Sequence, residues 1–231
     1  AGRTTAVIPY YSYARSDKKD APRISITGRL IADLLQTAGA NRVLTMDLHA
    51  AQVHGFFSVP VDHLTALPTI TDYIKGNYDL SQAVVVAADA GGARRANVVA
   101  SRLNVPLAII DKRRINDTKV EQNFVVGEVR DRDAIIVEDE IATGTTLVHS
   151  INTLHAAGAR RIIAGATHPI LCGKAVENLA DSPLVELIVA NTCHIPDHKR
   201  FPKLTVLSVA SLLAEAMRRI HTGESVGALF T

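Results

Sequence analysis

The chain has 231 residues, of which 47% are hydrophobic and 21% are charged, a balance typical of a globular protein with a substantial core. Its formal net charge is only +2 and no block of like charges occurs, which argues against a nucleic-acid-binding surface. No apolar run reaches the roughly 18 residues that would indicate a membrane span, and the first residues, AGRTTAVIPYY, lack the apolar segment of a signal peptide.

Short apolar runs alternate with helical patterns along the chain. The predicted strands cover residues 6–11, 42–48, 83–88, 106–111, 133–138, 161–166 and 185–190. The predicted helices cover residues 27–38, 67–75, 93–103, 145–157, 174–180 and 208–220. Because most of these strands are continuous apolar runs, both of their faces should be covered. The alternation therefore predicts an α/β fold with parallel sheets flanked by helices.

A domain boundary is predicted near VPVDHLTALP, where two prolines bracket a short extended segment. This divides the chain into a small first domain, residues 1–65, and a larger second domain, residues 66–231, although the last helix and tail could pack on the first. Because the first domain would have few strands, we expect it to take strands from a partner or to be incomplete. The two cysteines, Cys172 and Cys193, lack metal-ligand spacing and indicate reduced thiols in a cytoplasmic protein, with a disulfide as the alternative.

Residues 134–147, AIIVEDEIATGTTL, place acids at the end of an apolar strand and a small hydroxylated turn after them. The carboxylates of Glu138 and Asp139 suit hydrogen bonds to vicinal sugar hydroxyls, or a hydrated Mg²⁺. The turn over residues 143–146 leads into a helix, and its hydroxyls and backbone amides suit a phosphate that approaches closely at Gly144. The stretch predicts a sugar-phosphate site. The alternative is that the acids only cap the helix and stabilise its dipole.

Two other segments come after apolar strands in the same way. In ADAGGARR, Asp89 suits a metal, and the amides of Ala90, Gly91 and Gly92 suit a second anion. The alternative is a glycine turn before a solvated basic helix face. In DKRR, residues 111–114, the basic side chains would lie on a mobile loop that closes over a polyphosphate, or simply on a solvated surface.

Charged residues near the start also come after strands. His49, in MDLHA, suits contact with a metal or a phosphate, and a structural role is the alternative. Arg15 and Asp17, in YARSDKKD, lie beyond the first strand. A planar guanidinium there can stack on a purine or bind phosphate, although a surface position would explain these charges equally well.

The order and spacing of these segments resemble those of the ribose-phosphate pyrophosphokinases, also called phosphoribosyl pyrophosphate (PRPP) synthetases. The resemblance covers essentially the whole chain, through YARSDKK, MDLHAAQVHGFF, PVDHL, DAGGARRA, AIIDKRR, the acid–Thr–Gly loop, ATHPIL and LLAEAMRRIHTGESVGALF. It implies two phosphoribosyltransferase-like (type I) α/β domains, the first incomplete. It also implies transfer of pyrophosphate from Mg-ATP to O1 of ribose 5-phosphate, giving PRPP and AMP, by a homo-oligomer that is usually a hexamer.

The resemblance further implies roles for residues that meet ATP and the metal. Arg15 and Asp17 match the segment that binds ATP, as does His49. His49 and Asp89 match positions associated with Mg²⁺. The expected pyrophosphate loop consists of Asp89, Ala90, Gly91 and Gly92.

A second group of residues matches the ribose 5-phosphate site and the catalytic loop. Lys112 and Arg114 match the basic pair on the catalytic flexible loop. Glu138 and Asp139 match the acidic pair that faces the ribose. The loop expected around the 5-phosphate consists of Thr143, Gly144, Thr145 and Thr146.

The sequence departs from the family's pattern at several positions. Ser16 stands where Gln is common, Ser58 where an Asp is usual, and Ala142 where a third Asp is frequent. Glu138 replaces the first Asp of the acidic pair with a longer side chain, and Thr145 brings a β-branched residue to a tight turn. We also expect no counterpart here of the family's N-terminal segment, which carries a Phe-Ser-Asp-Gly-Glu loop that reaches the ATP of a neighbouring subunit.

Two other functions stay open on the sequence. A non-catalytic or truncated homologue would bind nucleotide or sugar phosphate, or assemble with active subunits. A phosphoribosyltransferase that consumes PRPP explains residues 134–147 equally well, but it does not explain YARSDKK, DLHA or ESVGALF. Retention of Lys112, Arg114, Asp89 and the acidic pair favours the synthetase.

Overall fold

A computed structural model describes residues 2–114 and 121–229, without the side chains of residues 112–114 and 121–123. The chain forms two units, one of residues 1–66 with residues 209–231 and the other of residues 67–208. The strands are β1 (Thr5–Ile8), β2 (Arg42–Met46), β3 (Val61–Leu64), β4 (Ala83–Ala87), β5 (Leu107–Arg114), β6 (Glu121–Val126), β7 (Asp133–Ile141), β8 (Arg161–Pro169), β9 (Glu186–Ala190) and β10 (Leu204–Leu207). The α-helices are α1 (Thr27–Thr37), α2 (Leu67–Asn77), α3 (Ala93–Leu103), α4 (Thr145–Ala156), α5 (Ala175–Asp181) and α6 (Ala210–Thr222).

The first unit contains a parallel sheet in the order β1-β2-β3. A small apolar core that includes Tyr11 and Val53 lies beside the loop after β1. The Tyr11 hydroxyl donates a hydrogen bond of 2.8 Å to the carbonyl of Gly28, at the start of α1. A Cβ at position 28 would lie only 3.0 Å from the carbonyl oxygen of Tyr13, so the close approach of this loop to α1 requires glycine.

The second unit contains a seven-stranded sheet in the order β10-β9-β8-β7-β4-β5-β6. Neighbouring strands are parallel except for the β5–β6 pair. The chain passes from β4 to β5 on one side and later enters β7 on the other side of β4. The strand order therefore reverses between β4 and β7, and ligands of open α/β sheets bind beside such a reversal, outside the carboxyl ends of the strands.

The predicted α/β fold with parallel sheets and flanking helices is confirmed, and α3 has the bounds that the sequence predicts. The sequence did not predict three of the strands. β3 and β10 have only four residues each, and β3 contains two polar side chains, Asp62 and His63. β6 opens with the polar residues 121–123, which do not form a strand-like apolar run. The longest described helix, α6, has 13 residues, and none of the described helices combines the length and apolar character needed to cross a bilayer.

The prediction of a loop at residues 112–114 was wrong for the backbone. These residues extend β5 and pair antiparallel with β6, with Lys112 aligned with Asn123 and Arg114 aligned with Glu121. Polar side chains obscured this strand in the sequence. Backbone pairing satisfies the N–H and C=O groups of a strand whatever its side chains are, so a hairpin forms without an apolar pattern.

A charged cluster lies at the amino-terminal edge of the second sheet. The side chain of Asp133, the first residue of β7, is only 2% exposed. Arg160 donates two hydrogen bonds of 2.8 Å to its carboxylate, and Arg161 donates two more. Burial opposes ionisation of Asp133, but the two guanidinium groups outweigh it and lower the pKa of the carboxyl to about 2. The cluster therefore stabilises the folded state wherever Asp133 is ionised.

We predict that Asp133→Asn lowers the free energy of unfolding by about 2 kcal/mol near neutral pH, because the pKa shift from about 3.9 to about 2 corresponds to that amount. A carboxyl whose pKa is lowered by folding stabilises the protein above its unfolded pKa, and this contribution disappears as the pH falls from about 4 through about 2. Urea unfolding across this range measures both effects. Asp72→Asn is the control, since Asp72 and Arg102 form an exposed pair at 3.7 Å that should contribute less than about 1 kcal/mol. Equal losses in the two variants would contradict the prediction.

Candidate functional site

The carboxyl ends of β4, β5 and β7 lie along one edge of the second sheet. β4 is parallel to β5 on one side and to β7 on the other, with Val86 aligned with Ile136. The residues at and beyond the ends of these strands therefore project from the same edge of the sheet. They include Asp89 after β4 and Glu138 and Asp139 near the end of β7.

The turn over residues 143–146 connects β7 to α4. Gly144 precedes the helix with φ of 72°, in the left-handed region that favours glycine. A Cβ there would meet Ala175 and Leu179 at an ordinary contact distance of 3.5 Å, so backbone conformation rather than space requires the glycine. The threonines of the turn are exposed, and the hydroxyls of Thr143 and Thr145 lie 3.2 Å apart. The first N–H groups of α4 have no partners within the helix and suit an anion.

The segment after β8 fixes the start of this turn. The N–H of Leu171 donates to the carbonyl of Ile141 at 3.0 Å, and the N–H of Cys172 donates to the carbonyl of Ala142 at 2.9 Å. Cys172 is exposed, whereas burial raises the pKa of the Cys193 thiol. Both cysteines are free, in agreement with the expectation of reduced thiols and not with the alternative of a disulfide. The turn is thus held by backbone hydrogen bonds, and its exposed hydroxyls are left facing outward.

A single guanidinium contacts both carboxylates of the acidic pair. Nη1 of Arg95 lies 3.3 Å from Oε2 of Glu138, and Nη2 lies 3.3 Å from Oδ1 of Asp139. Arg95 was not among the predicted site residues, because its segment has the composition of a solvated basic helix face. The available indication was its position in the first turn of α3, where the helix dipole favours acids rather than bases.

The side chain of Asp89 stabilises the turn before α3. Its Oδ1 accepts a hydrogen bond of 2.9 Å from the N–H of Gly92, in the turn before α3. A Cβ at Gly91 would lie 3.2 Å from the same oxygen. Of the three amides expected to surround a pyrophosphate, those of Ala90, Gly91 and Gly92, the last is therefore engaged within the turn.

The basic residues Lys112 and Arg114 belong to β5 by their backbone, on the strand next to β4. Their side chains lie outside the described part of the chain, as do residues 115–120. The roles predicted for these two basic side chains therefore fall outside the described part of the chain.

Three predicted ATP-binding residues, Arg15, Asp17 and His49, lie in the first unit. Arg15 and His49 are exposed, and Asp17 accepts a hydrogen bond from the side-chain amide of Gln52. Ser16 stands where the resemblance leads us to expect Gln. The Ser16 hydroxyl accepts a hydrogen bond of 3.0 Å from the N–H of Thr27, the first residue of α1. It thereby caps the helix in place of Ile26, the residue before α1, whose side chain makes no capping hydrogen bond.

The turn that carries His49 is held by two residues, Asp47 and His63, that were not among the predicted site residues. Asp47 has φ of 38°, in the left-handed region, and its carboxylate accepts the N–H of Ala66 at 2.9 Å. Nε2 of His63 accepts the N–H of Leu48 at 2.8 Å, which places the proton of a neutral imidazole on Nδ1. These contacts position the backbone of the segment DLHA. His63, in the segment PVDHL, is one of the residues that hold it.

The fit of these residues to Mg²⁺ depends on the donors available. Among the side chains that the structure describes, no group of three or more His, Cys, Asp or Glu is arranged to hold a metal ion. Mg²⁺ is commonly bound by one or two carboxylates together with substrate phosphates. Asp89, with one oxygen held by Gly92, fits an ion that arrives with a polyphosphate rather than an ion in a protein cage.

A solved structure shares this fold. The crystal structure of phosphoribosylpyrophosphate synthetase from Mycobacterium smegmatis matches this chain with a TM-score of 0.90 and 45% sequence identity. The match covers 96% of this chain and 73% of that chain.

Sequence comparisons lead to the same family. The model of the phosphoribosyl synthetase-associated domain matches residues 114–231, and the model of the N-terminal domain of ribose phosphate pyrophosphokinase matches residues 1–39. A ribose-phosphate pyrophosphokinase of Aquifex aeolicus is 49% identical over 98% of this chain and 73% of its own length. One of Deinococcus radiodurans is 50% identical over 100% of this chain and 73% of its own length. The chain therefore belongs to the ribose-phosphate pyrophosphokinase family, as its motif order predicts.

Proposed function

We propose that this chain transfers the pyrophosphate group of Mg-ATP to O1 of ribose 5-phosphate, giving PRPP and AMP. Family membership supports the reaction. The observation that carries the proposal is the arrangement at the end of β7. Within one strand and the turn after it, an acidic pair, Glu138 and Asp139, precedes a hydroxylated turn at a helix N-terminus.

The two halves of this arrangement match the two ends of a sugar phosphate. Ionised carboxylates accept hydrogen bonds only, so Glu138 and Asp139 suit the hydroxyls of the ribose. The N–H groups at the start of α4 and the hydroxyls of Thr143 and Thr146 donate hydrogen bonds, so they suit the 5-phosphate. Because Gly144 has no side chain, the backbone between these two groups can approach a ligand closely.

The remaining predicted residues are assigned to the nucleotide. Asp89 and its turn are proposed to meet the transferred pyrophosphate, and Lys112 and Arg114 to neutralise charge as O1 attacks the β-phosphorus and AMP leaves. Arg15, Asp17 and His49 are proposed to bind ATP. When bound with ATP, Mg²⁺ would neutralise phosphate charge. The chain itself contributes positioning and fixed positive charge, which are the main requirements of phosphoryl-type transfer.

The proposal includes an assembly and a location. A homo-oligomer, a hexamer by family resemblance, and a cytoplasmic site of action are supported by the family assignment. Residues 1–65 and 66–231 are proposed as a first and a second phosphoribosyltransferase-like domain. The boundary between the two compact units after residue 66 supports the first limit of that division. Residues 209–231 group with the first unit, which agrees with the expectation that the last helix and tail could pack on the first domain.

The direct test is formation of AMP and PRPP from Mg-ATP and ribose 5-phosphate by the 231-residue chain, beside a form extended at its N-terminus. PRPP production in either form supports the reaction. Retention of ligand binding without PRPP from either form would favour a non-catalytic homologue.

Lys112→Ala should lower kcat on the order of a hundredfold or more, because one fixed charge at a phosphoryl-transfer centre is removed. Its dissociation constant for ribose 5-phosphate should stay within about twofold, since that site is built from β7 and α4. Lys75→Ala, which removes an exposed lysine from the last turn of α2, is the charge-matched control. Undiminished turnover in Lys112→Ala would remove this residue from the catalytic machinery.

Thr146→Val should weaken ribose 5-phosphate binding roughly tenfold to a hundredfold by calorimetry, the effect of one lost hydrogen bond to a charged group, and leave ATP binding unchanged. The substitution preserves side-chain shape. Thr153→Val provides the control, since Thr153 lies two turns later in α4 and donates to the carbonyl of His149 at 3.0 Å. If both variants bind ribose 5-phosphate alike, the phosphate does not contact the Thr146 hydroxyl.

A further inference from the structure

Arg95 joins the two acids at the end of β7 through two different nitrogens of one guanidinium. Each contact measures 3.3 Å, and the side chains of Arg95, Glu138 and Asp139 are 25%, 20% and 8% exposed. Glu138 and Asp139 are consecutive residues of a strand, and such side chains start toward opposite faces of a sheet. A cation that contacts both of them therefore fixes the orientation of both carboxylates at once.

The position of Arg95 is locally unfavourable. It is the third residue of α3, whose first turn contains no acid, and the positive end of the helix dipole disfavours a cation there. Positions where a local preference is overridden are often functional. The carboxylates of β7 compensate the guanidinium from outside the helix, so the three side chains form one charged unit.

The charge of this unit bears on the kind of ligand that it binds. Two neighbouring carboxylates alone carry a charge of −2, which attracts a divalent cation. With Arg95 the charge is −1, and a cation is already in contact with both acids. Sugar hydroxyls need acceptor oxygens in fixed positions rather than net negative charge, and a carboxylate accepts several hydrogen bonds.

We propose that Arg95 is a positioning residue that orients Glu138 and Asp139 for the hydroxyls of a sugar and keeps divalent metal ions off this acidic pair. The identity of the sugar rests on the proposed function. The exclusion of metal does not, because it can be measured without turnover. Of the two uses that the sequence allows for these acids, sugar binding or hydrated Mg²⁺, the arrangement favours the first.

The first measurement is a titration of the full chain with Mn²⁺ as a paramagnetic probe, without nucleotide. Arg95→Gln should gain a Mn²⁺ site that wild type and Arg95→Lys lack, because the glutamine removes the charge whereas the lysine keeps it. Adding Asp139→Asn to Arg95→Gln should abolish the new site, which assigns it to the acidic pair. Arg94→Gln is the matched control, an exposed neighbour in the same helical turn, and it should behave like wild type.

The second measurement is calorimetry with ribose 5-phosphate and, separately, ATP. Arg95→Gln should weaken ribose 5-phosphate binding on the order of tenfold or more, the effect of a lost charged hydrogen bond, while ATP affinity stays within about twofold. Arg95→Lys should fall between Arg95→Gln and wild type, because a lysine keeps the charge but cannot contact both acids with a planar fork.

The outcomes separate this inference from the proposed function. An Arg95→Gln variant that gains no Mn²⁺ site and binds ribose 5-phosphate like Arg94→Gln would overturn the inference, as would Mn²⁺ bound at the acidic pair of wild type. If Arg95→Gln fails to fold by circular dichroism, Arg95→Lys decides, since it must weaken sugar-phosphate binding without gaining metal. Absence of PRPP synthesis by both the wild-type chain and its N-terminally extended form, with the Mn²⁺ results as expected, would refute the proposed function and uphold metal exclusion by Arg95.

Discussion

The parallel pairing of β4 with both β5 and β7 is the constraint on which the site depends. Because the three strands run the same way, their carboxyl ends and the turns beyond them lie along one edge of the sheet. β4 is a fully buried apolar segment, which carries no chemistry but fixes the position of the turn that contains Asp89. The proposed site is thereby separate from the stabilising Asp133 cluster, which lies at the opposite end of β7.

Electrostatic balance is the second organising feature of this edge. β7 brings two carboxylates, α3 brings Arg95 to them, and α4 begins with its positive end in the turn directly after β7. Hydrogen-bond acceptors at residues 138–139 and hydrogen-bond donors at residues 143–146 thus lie close together in the chain but in separate groups. A sugar phosphate, with hydroxyl donors at one end and an anionic acceptor at the other, is complementary to this order.

Much of the fold and of the candidate site could be predicted from the sequence, because buried parallel strands and the turns that precede helices have strong local sequence patterns. Gly144 and the acids before it are an example, since each residue type is dictated by its immediate surroundings. Arg95 could not be assigned to the acidic pair in the same way, because Glu138 lies 43 residues away along the chain. Its position in the first turn of α3 shows only that a base is locally unfavourable there. The β5–β6 hairpin was missed for a related reason, since backbone pairing rather than side-chain pattern holds residues 112–114 in a strand.

The most direct test of this assignment is a crystal structure of the chain with ribose 5-phosphate alone. We expect the phosphate at the N-terminus of α4, within hydrogen-bonding distance of the turn at residues 143–146. We expect the ribose hydroxyls on Glu138 and Asp139, with Arg95 still in contact with both acids. A phosphate bound elsewhere, or an acidic pair that has left Arg95 to hold a metal ion, would contradict the assignment.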